Sequence, residues 1–249
     1  MRRPVVLLAL LALSPGMMAA QASGKWPPDS LVNVKVIPKN TPVVQVVGTM
    51  RNFAGSLGVR CTFCHVGEEG MPLEKVDFPS DKKRTKLVAR QMMRMVEEIN
   101  HRLDTIPSRS TPGVEVTCRT CHRGVSRPAP LSSVIIQASL AVGADSGLRA
   151  YRGLRERYYG RDAYDFGEGS LNVAAFRLGR ESRFEDALKI LALNEELFPS
   201  SSGTSVFRGN IMLMQGDSAR AGDAFREALK RDSTNGEARG RLRDIGQKP

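Results

Sequence analysis

Surplus cysteine, spare histidine and long apolar runs are all missing from this 249-residue chain. There are four cysteines, and their arrangement argues against a small scaffold stapled by disulfides. They fall into two identical spacings, Cys61-Thr62-Phe63-Cys64-His65 and Cys118-Arg119-Thr120-Cys121-His122. There are three histidines, and two of them close these motifs. No stretch after the amino-terminal region is apolar for the ~20 residues that a membrane span needs. A composition of 41% hydrophobic and 25% charged residues reads as soluble and globular rather than disordered or membrane-embedded. The length allows one large domain or two small ones.

Residues 1–22 have the pattern of a cleaved signal peptide. Arg2 and Arg3 form a basic start, Val5 to Leu13 an apolar run, and Ala20-Gln21-Ala22 a small-x-small cleavage site. A periplasmic protein is the expectation, peripheral to the membrane if it touches it. The formal net charge is +11. In an exported protein that balance points away from nucleic acid and toward an acidic protein partner or an anionic membrane surface, or to solubility alone.

Residues 23–42 read as an extended leader, with Pro27-Pro28 and Pro38. Residues 43–130 hold both cysteine motifs and end at Arg127-Pro128-Ala129-Pro130. Beyond that boundary there is no cysteine or histidine. A helix is predicted over about 43–56 and another over about 81–103, the second started by Pro79-Ser80-Asp81. Val88, Met92, Met95, Val96, Ile99 and Leu103 recur at helical spacing and form one apolar stripe. Lys83, Lys86, Arg90 and Arg94 lie on its other side.

C-x-x-C-H is the attachment signature of c-type haem. Two thiols on one turn can reach the two porphyrin vinyl groups, and the adjacent histidine lies under the iron. A zinc ribbon would pair its C-x-x-C units ~15–20 residues apart, far closer than Cys64 and Cys118. A thioredoxin-like motif would need a βαβ context, which the sequence does not show. Two covalent haem c groups are therefore expected, attached at Cys61, Cys64, Cys118 and Cys121 with His65 and His122 on the irons. The sixth ligand decides the chemistry, since Met/His ligation makes a high-potential carrier and an open site allows catalysis. Met50 and the pair Met92/Met95 are the methionine candidates, and core packing is their other role. His101, near the end of a helix, reads as a surface residue.

The segments Leu57–Val66, Arg90–Asn100 and Val116–Gly124 resemble the first two haem segments of the photosynthetic reaction-centre cytochrome c subunit family. The resemblance implies that Met50 ligates the first haem opposite His65, and Met92 the second opposite His122, with Met95 in reserve. It also implies electron transfer with no catalytic residue. Several features depart from the family. That family has four haems and a lipid-anchored cysteine, whereas this chain has two motifs, no such cysteine and a longer stretch between Met92 and Cys118. Half of the mature chain has no counterpart.

Residues 131–170 read as a helical linker and 171–249 as tetratricopeptide-like helical hairpins. The period is 34, from Ala175 to Gly209, Ala187 to Ala221 and Leu191 to Phe225. Tyr158, Tyr159, Tyr164 and Phe166 are expected to pack the entrance of this array. The expected fold is thus mainly α: a small dihaem domain with few helices and long loops, then a repeat domain for partner docking. The competing readings are a dihaem peroxidase-like enzyme, which would need a labile iron and a distal acid or base, and a repeat scaffold with redox-sensing haems.

Overall fold

The computed structural model describes residues 25–248, and the export segment assigned to residues 1–22 lies outside them. Among the described residues there are ten α-helices and no strand beyond one isolated antiparallel bridge, Val66 with Asp77. None of these helices is long and apolar enough to cross a membrane. The chain divides into two compact units. Residues up to Asn52 together with Arg60–Ser110 form one; Phe53–Val59 together with everything from Thr111 form the other.

The first unit holds most of α1 (Val43–Leu57) and all of α2 (Arg84–Asp104). Its core is small, with Val46 and Val76 the buried apolar residues. Polar ties carry the rest. Lys86 Nζ on α2 donates to the carbonyls of Phe78 at 2.7 Å, Pro79 at 2.9 Å and Ser80 at 2.9 Å. Arg90 donates to Asp81 and to the Asn33 carbonyl, each at 3.0 Å. The leader is thereby held to α2, and Trp26 stacks on Phe78 with ring centroids 4.5 Å apart. Asp81 does not cap the helix as the sequence suggested. Its carboxylate is engaged by Arg90 and Lys86, and the helix begins at Arg84. Arg90 above all holds the Asp81 carboxyl well below the usual carboxylate range.

The second unit contains the short α3 (Cys118–His122) and seven longer helices: α4 (Leu131–Val142), α5 (Ala144–Tyr158), α6 (Glu168–Arg180), α7 (Phe184–Leu197), α8 (Ser202–Met214), α9 (Ser218–Arg231) and α10 (Gly236–Asp244). α8 begins 34 residues after α6, and α9 begins 34 residues after α7. The turns repeat in the same register. Ser182 at φ 58° and Gly216 at φ 81° take the left-handed position. In each turn an N–H five residues on closes to a carbonyl, Arg183 to Leu178 and Asp217 to Met212, both at 2.9 Å. Residues 131–170 do more than link. α4 and α5 fold back on each other, and Leu131, Ile135 and Tyr151 join the same core as Leu171, Leu178, Ile190 and Leu191. Tyr158, Tyr164 and Phe166 stack edge to face at the border of that core.

The α8–α9 pair shows why small residues recur at this period. A Cβ on Gly209 would lie 2.4 Å from the Phe225 ring, which is fully buried. Gly209→Ala is expected to cost about 1–3 kcal/mol in urea unfolding, because the ring has no space to retreat into. Gly240→Ala on α10, where a Cβ meets open space, is the matched control and should be neutral or stabilising by up to ~1 kcal/mol. Equal effects would contradict the close approach.

Candidate haem-binding site

The first motif opens as a 3₁₀ turn, Cys61–Phe63, with the Cys61 carbonyl accepting from the N–H groups of Cys64 at 3.2 Å and His65 at 3.0 Å. The start of α2 secures this turn. Thr85 Oγ1 donates to the Phe63 carbonyl at 2.5 Å, and Lys83 Nζ donates to the Thr62 carbonyl. The bridge between Val66 and Asp77 then returns the chain so that the Phe78 carbonyl meets His65 Nδ1 at 3.1 Å.

The second motif is one α-helical turn. Thr120 Oγ1 accepts from the Thr117 N–H at 2.9 Å, which fixes its start. His122 Nδ1 lies 2.9 Å from the Val125 carbonyl. Gly124 N–H donates to the Ser56 carbonyl at 2.8 Å, and Gly58 sits against Gly124, all within the second unit.

The two histidines share one arrangement. A carbonyl oxygen can only accept, so Nδ1 carries a proton in both rings and Nε2 is the nitrogen left to bind a metal. An imidazole that binds a metal through Nε2 needs this arrangement. Burial, with the Lys86 charge second, pushes His65 below its ordinary pKa and keeps it neutral at pH 7. All four thiols are free, and burial pushes Cys64 and Cys118 up from their ordinary values.

The methionines are placed unequally. Met50 is half-buried on α1, in the same unit as Cys61, Cys64 and His65. Met92 and Met95 are exposed on α2, at 39% and 43%. Met92 belongs to the first unit, whereas Cys118, Cys121 and His122 belong to the second. His101 is exposed near the end of α2.

The amphipathic pattern of α2 is only partly covered. Its cationic residues Lys86 and Arg90 bind backbone carbonyls and Asp81, while Val88, Met92 and Met95 of the apolar stripe are exposed and Val96, Ile99 and Leu103 half-buried. In a helix packed into a protein core the whole stripe is covered. Phe63 of the first motif is also 39% exposed. An Nε2 left open by the Nδ1 contact, thiol pairs not joined as disulfides and a partly exposed apolar face with two methionines fit a covalently held, largely apolar metallocofactor such as haem c. Phe78, Val125, Lys83, Thr85 and Lys86 support the motifs without any signal in the sequence, because backbone carbonyls accept most of these bonds.

Comparison with known proteins agrees on the class. Residues 67–139 match the family model described as photosynthetic reaction centre cytochrome C subunit. The matched stretch contains α2 and the second motif and begins just past His65. It supports a haem-binding, electron-transfer role. No curated protein matches the chain.

Proposed function

We propose that this chain is an exported, periplasmic dihaem c-type cytochrome that passes electrons between redox proteins, with a tetratricopeptide-like array for docking. The observation that carries the reading is the shared arrangement of His65 and His122, each with Nδ1 tied to a carbonyl and Nε2 left open. Cys61 and Cys64 would hold one haem by thioether bonds, and Cys118 and Cys121 the other. Haem iron supplies one-electron exchange between its ferric and ferrous states. The residues around it do the rest. His65 and His122 each present Nε2 in one orientation. The carbonyls of Phe78 and Val125 keep each ring in that orientation, so little reorganisation accompanies electron transfer. Val88 and Met95 offer apolar surface that excludes water. The pairing of Met50 with His65 and of Met92 with His122 rests on the resemblance, and thioether ligation would place both potentials high. The family match favours this role over catalysis.

Spectra of the haem-loaded protein test it. The wild type is expected to be low-spin at both haems, with a methionine-sensitive band when oxidised. Met50→Ala and Met92→Ala should each remove part of that band and lower one potential. Unchanged spectra in either variant would exclude that methionine as a ligand. High-spin haems that bind carbon monoxide readily at neutral pH would exclude the carrier reading.

A further inference from the structure

We propose that the arginine-rich end of the α4–α5 hairpin, beside the second C-x-x-C-H motif, docks a carboxylate-rich face of a redox protein. That the docked partner exchanges electrons rests on the haem reading above; the charge recognition does not.

From Cys118 to Arg161 the chain carries eight arginines, no lysine and only two acids, Asp145 and Glu156. The fold gathers most of the arginines. α4 and α5 are joined by Gly143 alone and fold back on each other, so the start of α4 and the end of α5 lie at one end of the hairpin. Arg123 and Arg127 come just before α4; Arg155 and Arg157 close α5, and Arg161 follows it. The second motif reaches that end too, with Arg119 Nη2 3.5 Å from Asp162 Oδ2 just past α5. Arg152 and Arg149 extend the set along α5, and all of these but Arg155 are exposed.

Most of them lack a carboxylate partner, whereas seven of the other ten arginines of this unit have one. Arg177, Arg183, Arg208, Arg220, Arg226, Arg231 and Arg241 all pair with carboxylates. Among the described residues, no ion pair involves Arg123, Arg127, Arg149, Arg152, Arg157 or Arg161. Guanidinium groups bind carboxylates in a bidentate fork that lysine cannot match. Arg155 lies 4.4 Å from the centroid of the Tyr159 ring, and Tyr159 is 62% exposed. Exposed tyrosine and arginine together are the types that dominate protein–protein hot spots. An anionic lipid surface needs only positive charge, so the tyrosine and the exclusive use of arginine favour a protein.

The test uses the full haem-loaded chain and two probes, a glutamate homopolymer and vesicles of phosphatidylcholine with phosphatidylglycerol. The variant is Arg149→Gln/Arg152→Gln/Arg157→Gln/Arg161→Gln. The control is Lys35→Gln/Lys39→Gln/Lys75→Gln/Lys82→Gln, which removes the same charge from exposed sites in the first unit. At low ionic strength the arginine variant is expected to bind the homopolymer about tenfold or more weakly, and the lysine control within about twofold of wild type. Equal losses in both variants would overturn the proposal in favour of net charge alone. Vesicle binding tighter than homopolymer binding and lost in the arginine variant would overturn it in favour of a membrane surface. A covalent haem count on the same samples reads separately, so a missing haem would sink the redox role and leave the binding result standing.

Discussion

Serine in place of Cys118 and Cys121 is expected to leave a protein that carries one covalent haem rather than two. The two attachment turns are built independently. The first is held by Thr85 and Lys83 at the start of α2, and its histidine by the Phe78 carbonyl. The second is fixed by Thr117 and Thr120, and its histidine by the Val125 carbonyl. Nothing in the first set depends on the thiols of the second. The double variant should therefore lose half of its haem absorbance after denaturation while the first haem keeps its spectrum. The reciprocal variant, Cys61→Ser with Cys64→Ser, should lose the other half. Loss of all haem from either variant would show that the two attachments are one cooperative site.

Gly58→Ala should have the largest effect of any substitution away from the motifs. Gly58 sits at φ 65°, where a side chain is strained by about 1–3 kcal/mol. A Cβ there would also lie 2.1 Å from the Gly124 carbonyl oxygen. Backbone cannot swing aside as a flexible side chain can, and overpacking of this kind costs about 1–3 kcal/mol more. The turn that must move carries the Val125 carbonyl, which holds His122. Thermal unfolding should fall, and the spectrum of the second haem should change more than that of the first. Gly55→Ala, three residues earlier on α1 and facing open space, should be neutral or stabilising by up to ~1 kcal/mol. If Gly58→Ala left both melting and spectrum unchanged, the contact between the two turns would not position His122.

The sequence carried the local features well and the distant ones poorly, for physical reasons. The two motifs and the 34-residue period are spacings along the chain, so they are legible without a fold. The helices α6, α7, α8 and α9 follow from that period, and α2 from its own apolar spacing. Gly216 announces its left-handed turn, but Ser182, which takes the same position in the preceding hairpin, does not. Asp81 looked like a helix start and became the partner of Arg90, a choice set by a side chain nine residues away. Arg90 also reaches Asn33, 57 residues distant, and no local pattern encodes such a tie. Within the helical linker of residues 131–170, a helix near Gly147 to Tyr158 is expected to cap the stack, and Tyr151 on it is 1% exposed within the shared core. Val88, Met92 and Met95 of the α2 stripe are exposed while Val96, Ile99 and Leu103 are half-buried. Hydrophobic period reports that a face seeks apolar company, and it does not say whether protein or a cofactor supplies it. The acceptors that fix His65 and His122 are backbone carbonyls, which every residue possesses.

The most direct measurement is the intact mass of the full protein produced with c-type haem maturation. The account predicts a chain heavier by two covalently bound haems, unchanged by acid–acetone extraction. A mass showing one haem or none after complete maturation would contradict it.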